Sequence, residues 1–190
     1  MTQDLAYQEK QREELINGTL AAISPRPAFN HNRVAFRIAY LFERYLEGKP
    51  CTVIADGTDL YLSDKDRFIP DVMIVCSRDQ IQWNGVHGAP DLVVEVLSPS
   101  TAKNDRWQKA RTYAAHGVPE YWIVDPMNQT VEVYALQDGQ YTLLDTYLHH
   151  PDYVLQTMGA EEKAALVTSF RCHLYDDFLI RLEDIFSGLI

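Results

Sequence analysis

The chain has little cysteine and no run of apolar residues long enough to cross a membrane. Its three cysteines, Cys51, Cys76 and Cys172, are odd in number, far apart and not in CxxC spacing. This pattern argues against a structural zinc site and predicts a reduced, intracellular protein. The first residues have neither a basic start nor an apolar stretch, so we expect no secretion signal and a cytoplasmic location.

Positive charge is also scarce, with 17 Lys and Arg residues against 27 Asp and Glu residues and a net charge of −10. Affinity for phosphate comes from Lys and Arg, so this balance weakens the case for a nucleic-acid partner. An acidic metal site can nevertheless lie beside a local basic surface, which leaves DNA open as a partner. The candidates for such a basic patch are Arg33, Arg37, Lys103, Arg106 and Arg111.

The 190 residues suit one domain spanning 1–190, and their pattern predicts an α/β fold with a mixed central sheet flanked by helices. Asn30 is a plausible N-cap for a helix with Val34, Ile38, Leu41 and Tyr45 on its apolar face. Asp138-Gly139 predicts the turn of a hairpin. Helices are predicted over 1–12 (continuing to about residue 15), 30–47, 101–116 and 176–188, and strands over 19–23, 52–54, 58–62, 70–75, 90–97, 121–126, 130–135 and 141–147.

Two of the predicted strands begin with Pro-Asp, at Asp71 and at Asp91, and the second carries Glu95 in its middle. A carboxylate inside an apolar strand is costly to bury unless a cation compensates it. Two carboxylates on neighbouring strands would repel unless a cation lay between them. Asp71 and Glu95 therefore predict a site for Mg²⁺ or Mn²⁺, which accepts few carboxylates and retains water ligands. Asp91 is more typical of a turn residue at the strand start.

Phosphoryl chemistry at such a metal also needs a cation that offsets developing negative charge. Leu97, two residues after Glu95, cannot provide it. On the following predicted helix, Asp105, Lys109 and Tyr113 lie at i, i+4 and i+8 and share one face. Lys109 can therefore reach the same crevice as Glu95. Lys103 is the alternative, although it lies off that face.

These motifs together resemble the Uma-two family of restriction endonucleases, within the PD-(D/E)xK nuclease superfamily. Residues 90–101 read Pro-Asp-Leu-Val-Val-Glu-Val-Leu-Ser-Pro-Ser-Thr, and residues 117–126 read Gly-Val-Pro-Glu-Tyr-Trp-Ile-Val-Asp-Pro. The resemblance extends from about Glu14 to the hairpin near Tyr141. At residues 17–19, Asn-Gly-Thr lacks the acidic residue that often follows the glycine in the family.

The resemblance implies a restriction-endonuclease-like fold and Mg²⁺-dependent hydrolysis of DNA. On this basis Asp71 and Glu95 are metal ligands and catalytic residues, and the catalytic lysine of the motif has moved from position 97 to Lys109. Enzymes that cut both strands of DNA often act as two-fold dimers, so we expect a homodimer built through the C-terminal helix or the aromatic-rich hairpin.

Plainer interpretations remain open at the sequence level. Asp71 can simply open a strand, Lys109 can be an exposed helix residue, and Glu95 with Lys109 can form a structural ion pair. His31, in the first turn of its predicted helix, can contact substrate but is more typical of a surface histidine. Glu14 is a further candidate for an acid beside the metal. The alternative functions are an inactive interaction protein with a nuclease fold and a metal-dependent hydrolase of a small phosphate compound. Trp107 can stack on a base or pack against the sheet.

Overall fold

The computed structural model describes residues 13–22, 28–55, 57–99 and 102–190. Its strands are β1 (Glu13–Ile16), β2 (Thr19–Ala22), β3 (Thr52–Ala55), β4 (Leu60–Ser63), β5 (Asp66–Phe68), β6 (Val72–Val75), β7 (Ile81–Gln82), β8 (Gly85–His87), β9 (Leu92–Val96), β10 (Glu120–Asp125), β11 (Thr130–Gln137), β12 (Gln140–Leu148), β13 (Ser169–Arg171) and β14 (Leu179–Arg181). Its helices are α1 (Phe29–Leu46), α2 (Ala102–Asn104), α3 (Ala110–Ala115), α4 (Asp152–Leu155), α5 (Ala160–Ala164) and α6 (Leu182–Phe186), with a π-helical turn over Asp105–Lys109.

The central sheet is mixed, as the sequence predicts, with strand order β12-β11-β10-β9-β6-β3. β9 and β10 are parallel, and the other neighbours in this sheet are antiparallel. A second six-stranded sheet has the order β2-β1-β5-β4-β8-β7, and β13 pairs with β14. The hairpin between β11 and β12 is confirmed, and Asp138 and Gly139 both have positive φ, as its two-residue turn requires.

The central strands are apolar on both faces because each face is covered by a separate core. On β9, the side chains of Leu92, Val94 and Val96 join a core that includes α1 and the C-terminal segment. Val93 faces the other core, which includes Tyr113 of α3. This burial on both sides explains why the strand reads as a continuous apolar run, and it makes a glutamate within that run conspicuous.

Helix α1 begins one residue before the predicted N-cap. The side chain of Asn30 does not cap the helix but bonds to the backbone of Ile190, with N–O distances of 2.7 and 3.0 Å. Val34 and Ile38 are buried as predicted, and Phe42 and Leu46 complete the buried face. Leu41 and Tyr45 of the predicted face are only partly buried.

Predictions for the two ends of the chain are the least accurate. The predicted lead-in helix over 1–12 lies outside the described residues, and its continuation to residue 15 is wrong because β1 begins at Glu13. The helix predicted over 176–188 is wrong in its first half. Leu179–Arg181 is a strand in which Leu179 is exposed and Ile180 buried, so the pattern alternates until the short helix α6 begins at Leu182.

The expectation of a wholly reduced chain is also wrong, because Cys51 and Cys76 form a disulfide. Thr52 pairs with Val75 in the β3–β6 ladder, and the two cysteines lie one residue beyond this pair. Strand pairing therefore brings together residues that are 25 positions apart in sequence. Cys172 is a free, buried cysteine. Among the described helices, none has the length and apolar character needed to span a membrane.

Candidate active site

Strand register brings the two predicted carboxylates to neighbouring positions. β6 lies antiparallel to β9, with Val72 paired to Val94. Continuing this register by one residue places Asp71 opposite Glu95. Directly opposite residues on antiparallel strands share a face of the sheet. The sheet therefore places both acids on the same side of adjacent strands, as a shared site requires.

The helical segment that follows β9 supplies the third predicted residue. Its first part, α2, is followed by the π-helical turn over Asp105–Lys109 and then by α3. Asp105, Lys109 and Tyr113 are all buried against the sheet, so the predicted helix face is confirmed. π-helical turns are rare and are frequent at functional sites.

Glu95 is only 3% exposed and accepts two hydrogen bonds from this helix. Its Oε1 atom lies 3.1 Å from the ammonium of Lys109 and 2.7 Å from the hydroxyl of Tyr113. Burial raises the pKa of Glu95, the ammonium of Lys109 opposes this rise, and the carboxylates of Asp105 and Asp71 reinforce it. The net direction is a raised pKa, chiefly because the carboxyl group is buried and also because other acids lie close to it.

Lys109 is surrounded by acids and is not an exposed helix lysine. Its Nζ atom lies 2.9 Å from Glu14 Oε1 and 3.3 Å from Asp105 Oδ1, in addition to its contact with Glu95. Burial opposes the charged form of this side chain. The carboxylates of Glu95, Asp105 and Glu14 outweigh that effect and raise the pKa of Lys109 well above its ordinary value. Lys109 therefore carries its charge at neutral pH.

Glu14 enters the site from β1, far away in sequence. The same Oε1 atom that contacts Lys109 accepts a bond from the Ile69 backbone N–H at 3.0 Å. This bond fixes the carboxylate next to the segment that leads into Asp71. Sequence reasoning gave Glu14 little weight because no local motif marks it. Lys103, the alternative cation, is exposed and lies away from these contacts.

Asp71 has different partners at the edge of the cluster. Its Oδ2 atom accepts a bond from the Val96 backbone N–H at 2.7 Å and lies 3.3 Å from Nε2 of His31. His31 comes from the first turn of α1 and is largely buried, so its interpretation as a surface histidine is wrong. The only sequence signal for this contact was its position in that first turn.

The predicted basic patch does not form as a single surface. α1, which carries Arg33 and Arg37, packs on one face of the central sheet, while α3 packs on the other. The guanidinium of Arg37 donates to the backbone carbonyls of Asp184 and Ser187. Arg106 forms a two-oxygen contact with Glu132 at 2.7 and 2.8 Å. A continuous run of positive charge is therefore absent from these described residues.

The donor set at Asp71 and Glu95 fits a hard divalent cation. Both residues present carboxylate oxygens, which Mg²⁺ and Mn²⁺ prefer, and a few such ligands with water suffice. Four acids, Glu14, Asp71, Glu95 and Asp105, lie around one lysine, Lys109, with His31 beside Asp71, and a divalent cation would offset the repulsion between the acids. Within the described ranges, no three His, Cys, Asp or Glu side chains form a preassembled metal site.

The Uma2 family model, described as "Putative restriction endonuclease", matches residues 2–166. The uncharacterized protein slr1290 of Synechocystis sp. (strain ATCC 27184 / PCC 6803 / Kazusa) is 28% identical over 159 residues, covering 82% of this chain and 83% of the relative. The uncharacterized protein sll1609 of the same organism is 28% identical over 143 residues, covering 73% and 80%.

A solved structure shares the fold. The crystal structure of a "putative nuclease belonging to DUF820" from Anabaena variabilis ATCC 29413 superposes with a TM-score of 0.62. The match covers 92% of this chain and 89% of that one, at 19% sequence identity. At this identity the similarity shows the fold. The restriction-endonuclease-like α/β architecture predicted from the sequence is thereby confirmed.

Proposed function

Because the chain belongs to the Uma2 family, whose description is "Putative restriction endonuclease", we propose that it is a divalent-metal-dependent endonuclease that hydrolyses phosphodiester bonds in DNA. The observation that carries this proposal is the buried Glu95, which faces the charged Lys109 and lies opposite Asp71 in the sheet register. Several acids share the one cation Lys109 here, and a buried acid with a shifted pKa in such surroundings is typical of a catalytic site.

Asp71 and Glu95 are the residues that we propose to hold Mg²⁺ or Mn²⁺. The ion, when bound, polarises a phosphoryl oxygen and lowers the pKa of the attacking water. The hydroxyl of Tyr113 fixes the Oε1 atom of Glu95, and the Val96 backbone N–H fixes Oδ2 of Asp71. These contacts orient both carboxylates before a substrate arrives, which reduces the reorganisation needed for catalysis.

Lys109 acts in this proposal as a positioning cation. Its raised pKa keeps the ammonium protonated at neutral pH, so it donates hydrogen bonds and does not accept the proton of the water. Its charge offsets the negative charge that develops on the phosphate in the transition state. Glu14 and Asp105 hold the ammonium in place on two further sides.

One observation favours a second candidate, an interaction protein that keeps the nuclease fold without activity. The ammonium of Lys109 has three donors, and three carboxylates lie within 3.3 Å of it. Its hydrogen-bonding capacity is therefore met within the protein, as in a structural ion-pair network. A cleavage assay distinguishes the two candidates.

The assay measures cleavage of supercoiled and linear DNA with Mg²⁺ or Mn²⁺ by the wild type and by Glu95→Gln. We expect metal-dependent cleavage by the wild type and a loss on the order of a hundredfold in the variant. Glu120→Gln is the matched control, because Glu120 is equally buried on the adjacent strand but on the opposite face. An absence of cleavage by the wild type in every condition supports the inactive candidate. Equal cleavage by the wild type and Glu95→Gln contradicts the role proposed for Glu95.

We also propose a homodimer, which would present one site to each DNA strand. The C-terminal helix is unsuited to the contact, because Leu182, Ile185 and Phe186 of α6 are buried in this chain's own core. The hairpin is better suited, since β12 is the outer strand of the central sheet and exposes Leu143 and Leu144. A monomer mass in light scattering at micromolar concentration contradicts this proposal.

A further inference from the structure

A cavity of about 180 Å³ lies one strand away from Glu95. Its lining includes Ile123 of β10, which is the direct register partner of Glu95 on β9. It also includes Ala110, the residue after Lys109 on the helical segment. The cavity and the candidate active site therefore share a strand pair and a helix, and they lie on the same face of the sheet.

Three tyrosine rings, Tyr121, Tyr134 and Tyr141, form much of this lining. Tyr121 and Tyr141 are nearly parallel, with ring centroids 5.4 Å apart, and Tyr134 lies 6.2 and 6.3 Å from the two. The three hydroxyls bond within the protein, to the Asp105 carbonyl, to Glu132 and to the Val118 carbonyl. Tyr121 is fully buried beneath the other two rings, so the partly exposed rings of Tyr134 and Tyr141, and not the hydroxyls, are what the cavity offers to a ligand.

Two arginines, Arg106 and Arg111, complete the lining. Arg106 is held by Glu132, which compensates its charge. Arg111 is exposed, and its guanidinium lies 5.9 Å from the ring of Trp107. In the part of the chain that the structure describes, Arg111 has no ion-pair partner. Trp107 is itself 62% exposed, so a free positive charge and an open aromatic face lie together.

We propose that this cavity is a subsite for one unpaired nucleobase of the DNA strand whose phosphate is cleaved beside Glu95. The base stacks on the partly exposed rings of Tyr134 and Tyr141, and Arg111 contacts a neighbouring phosphate. Aromatic stacking suits this role because every base has a π-face. The cavity is smaller than the range of about 300–1,000 Å³ typical of pockets for drug-sized ligands, so it accommodates a single ring system and no base pair.

This inference rests on the proposed nuclease function and narrows its substrate. It assigns the enzyme to DNA that offers an unpaired nucleotide next to the scissile bond, such as a single strand, a flap or a bulge. Extruding a base from an intact duplex costs unstacking and unpairing energy, and an unpaired base avoids that cost. A fully paired duplex is then the poorer substrate.

The test measures binding without cleavage, in the presence of EDTA. A short single-stranded oligonucleotide carrying one 2-aminopurine reports stacking through the quenching of its fluorescence. We expect quenching with the wild type and weaker binding of the matching duplex. Tyr134→Leu removes a ring and should weaken binding roughly tenfold, within the range for one stacked base. Tyr134→Phe keeps the ring and should bind like the wild type.

Arg111→Ala tests the phosphate contact against a matched control. Arg44 is also an exposed helix arginine lying over a ring, 5.8 Å from Tyr40, but it is on α1 and outside the cavity. Removing one phosphate contact should reduce the slope of log affinity against log salt by roughly 0.7 for a single strand. Arg44→Ala should leave this slope unchanged.

The outcomes separate this inference from the nuclease proposal. Quenching that depends on Tyr134 and Arg111 supports the subsite even where no cleavage occurs. Metal-dependent cleavage without such quenching, or equal effects of Arg111→Ala and Arg44→Ala, overturns the subsite and leaves the nuclease proposal standing. Equal affinity for single strand and duplex also overturns it.

Discussion

Two glutamates on the parallel strands β9 and β10 are almost equally buried and have opposite surroundings. Glu95 is 3% exposed and Glu120 is 1% exposed. Glu120 pairs in register with Leu92, so it faces the core that contains α1, while Glu95 faces the helix that carries Lys109. The two glutamates of this sheet therefore lie in different environments, Glu120 in an apolar core and Glu95 beside a charged helix face.

Glu120 is satisfied by neutral donors. Its carboxylate accepts bonds from the Trp122 indole N–H at 2.6 Å and from the backbone N–H groups of Leu174 and His173 at 2.6 and 3.2 Å. These bonds attach the segment around residues 172–174 to the central sheet. The charge of His173 lowers the pKa of Glu120, but no second acid is among these partners, so we infer a structural role for Glu120.

Glu95 differs because its neighbourhood is charged and unbalanced. Lys109 is shared with Glu14 and Asp105, and Asp71 lies opposite in the register. An excess of acids over cations in a buried site costs stability that a purely structural site avoids. Shared charge, and not burial alone, is therefore what distinguishes the acid that we propose as catalytic from Glu120.

The largest expected effect comes from Lys109→Met, which keeps much of the packing of the stem but removes the charge. We expect cleavage to fall on the order of a hundredfold or more, while metal binding survives because the carboxylates remain. The free energy of unfolding should fall by about 3–5 kcal/mol, since buried acids lose their cation. Cleavage rates and urea unfolding measure the two effects.

Full cleavage by Lys109→Met contradicts the role given to this residue. Another cation would then act at the site, and Lys103 is the first candidate. Lys103→Met is therefore the control, and we expect it to keep wild-type activity because this side chain is exposed and away from the acids.

Glu120→Ala should give the next largest effect, and on stability alone. The change leaves the Trp122 indole and the N–H groups of Leu174 and His173 without their acceptor. The Trp122 bond is buried, and an unsatisfied buried donor costs about 1–3 kcal/mol. The two backbone bonds are only partly buried, so we expect a total loss of about 1–3 kcal/mol in urea unfolding. Cleavage per folded molecule should stay within about twofold of the wild type, since no charge at the active site changes. A large loss of cleavage by correctly folded Glu120→Ala would contradict the different roles given to Glu95 and Glu120.

The pH dependence of stability gives a third, smaller effect. Burial raises the pKa of Glu120 above its ordinary 4.5, although its hydrogen bonds oppose the rise. Between 4.5 and the raised folded value, the folded state keeps a proton that the unfolded state releases. Stability from this group is therefore present at low pH and lost as pH rises, by at most about 1.4 kcal/mol per pH unit.

In Glu120→Gln the side chain at position 120 cannot titrate. The free energy of unfolding of this variant should therefore fall less than that of the wild type between pH 4.5 and the raised pKa of Glu120. Unfolding in urea at several pH values, from 4.5 upward, compares the variant with the wild type. If the free energies of unfolding of the two proteins changed with pH in the same way, the pKa of Glu120 would not be raised in the folded state.

The smallest expected effect is that of Tyr113→Phe. It removes the hydroxyl that donates to Glu95 at 2.7 Å and leaves the ring in the core. The loss of one hydrogen bond should lower the free energy of unfolding by about 1 kcal/mol. Cleavage should fall less than in Lys109→Met, because the bond orients Glu95 without supplying charge. An effect on cleavage as large as that of Lys109→Met would assign Tyr113 a direct part in the chemistry.

The sequence was sufficient to predict residues whose signals are local. Glu95 interrupts an apolar strand, and Asp105, Lys109 and Tyr113 follow helical spacing, so the sequence places them on one face. Glu14 and His31 carry no such signal, because their contacts with Lys109 and Asp71 depend on how β1 and α1 pack. The Cys51–Cys76 pairing depends likewise on the β3–β6 register. Contacts between residues that are far apart in sequence produce no periodic pattern from which they could be predicted.

The most direct test of the account is calorimetric titration of Mn²⁺ into the wild type, Glu95→Gln and Glu120→Gln. We expect the wild type and Glu120→Gln to bind Mn²⁺ with the same affinity. Glu95→Gln should bind at least about tenfold more weakly, because it lacks one of two carboxylate ligands. Equal Mn²⁺ affinity in Glu95→Gln and the wild type would contradict the assignment of Glu95 to a metal site.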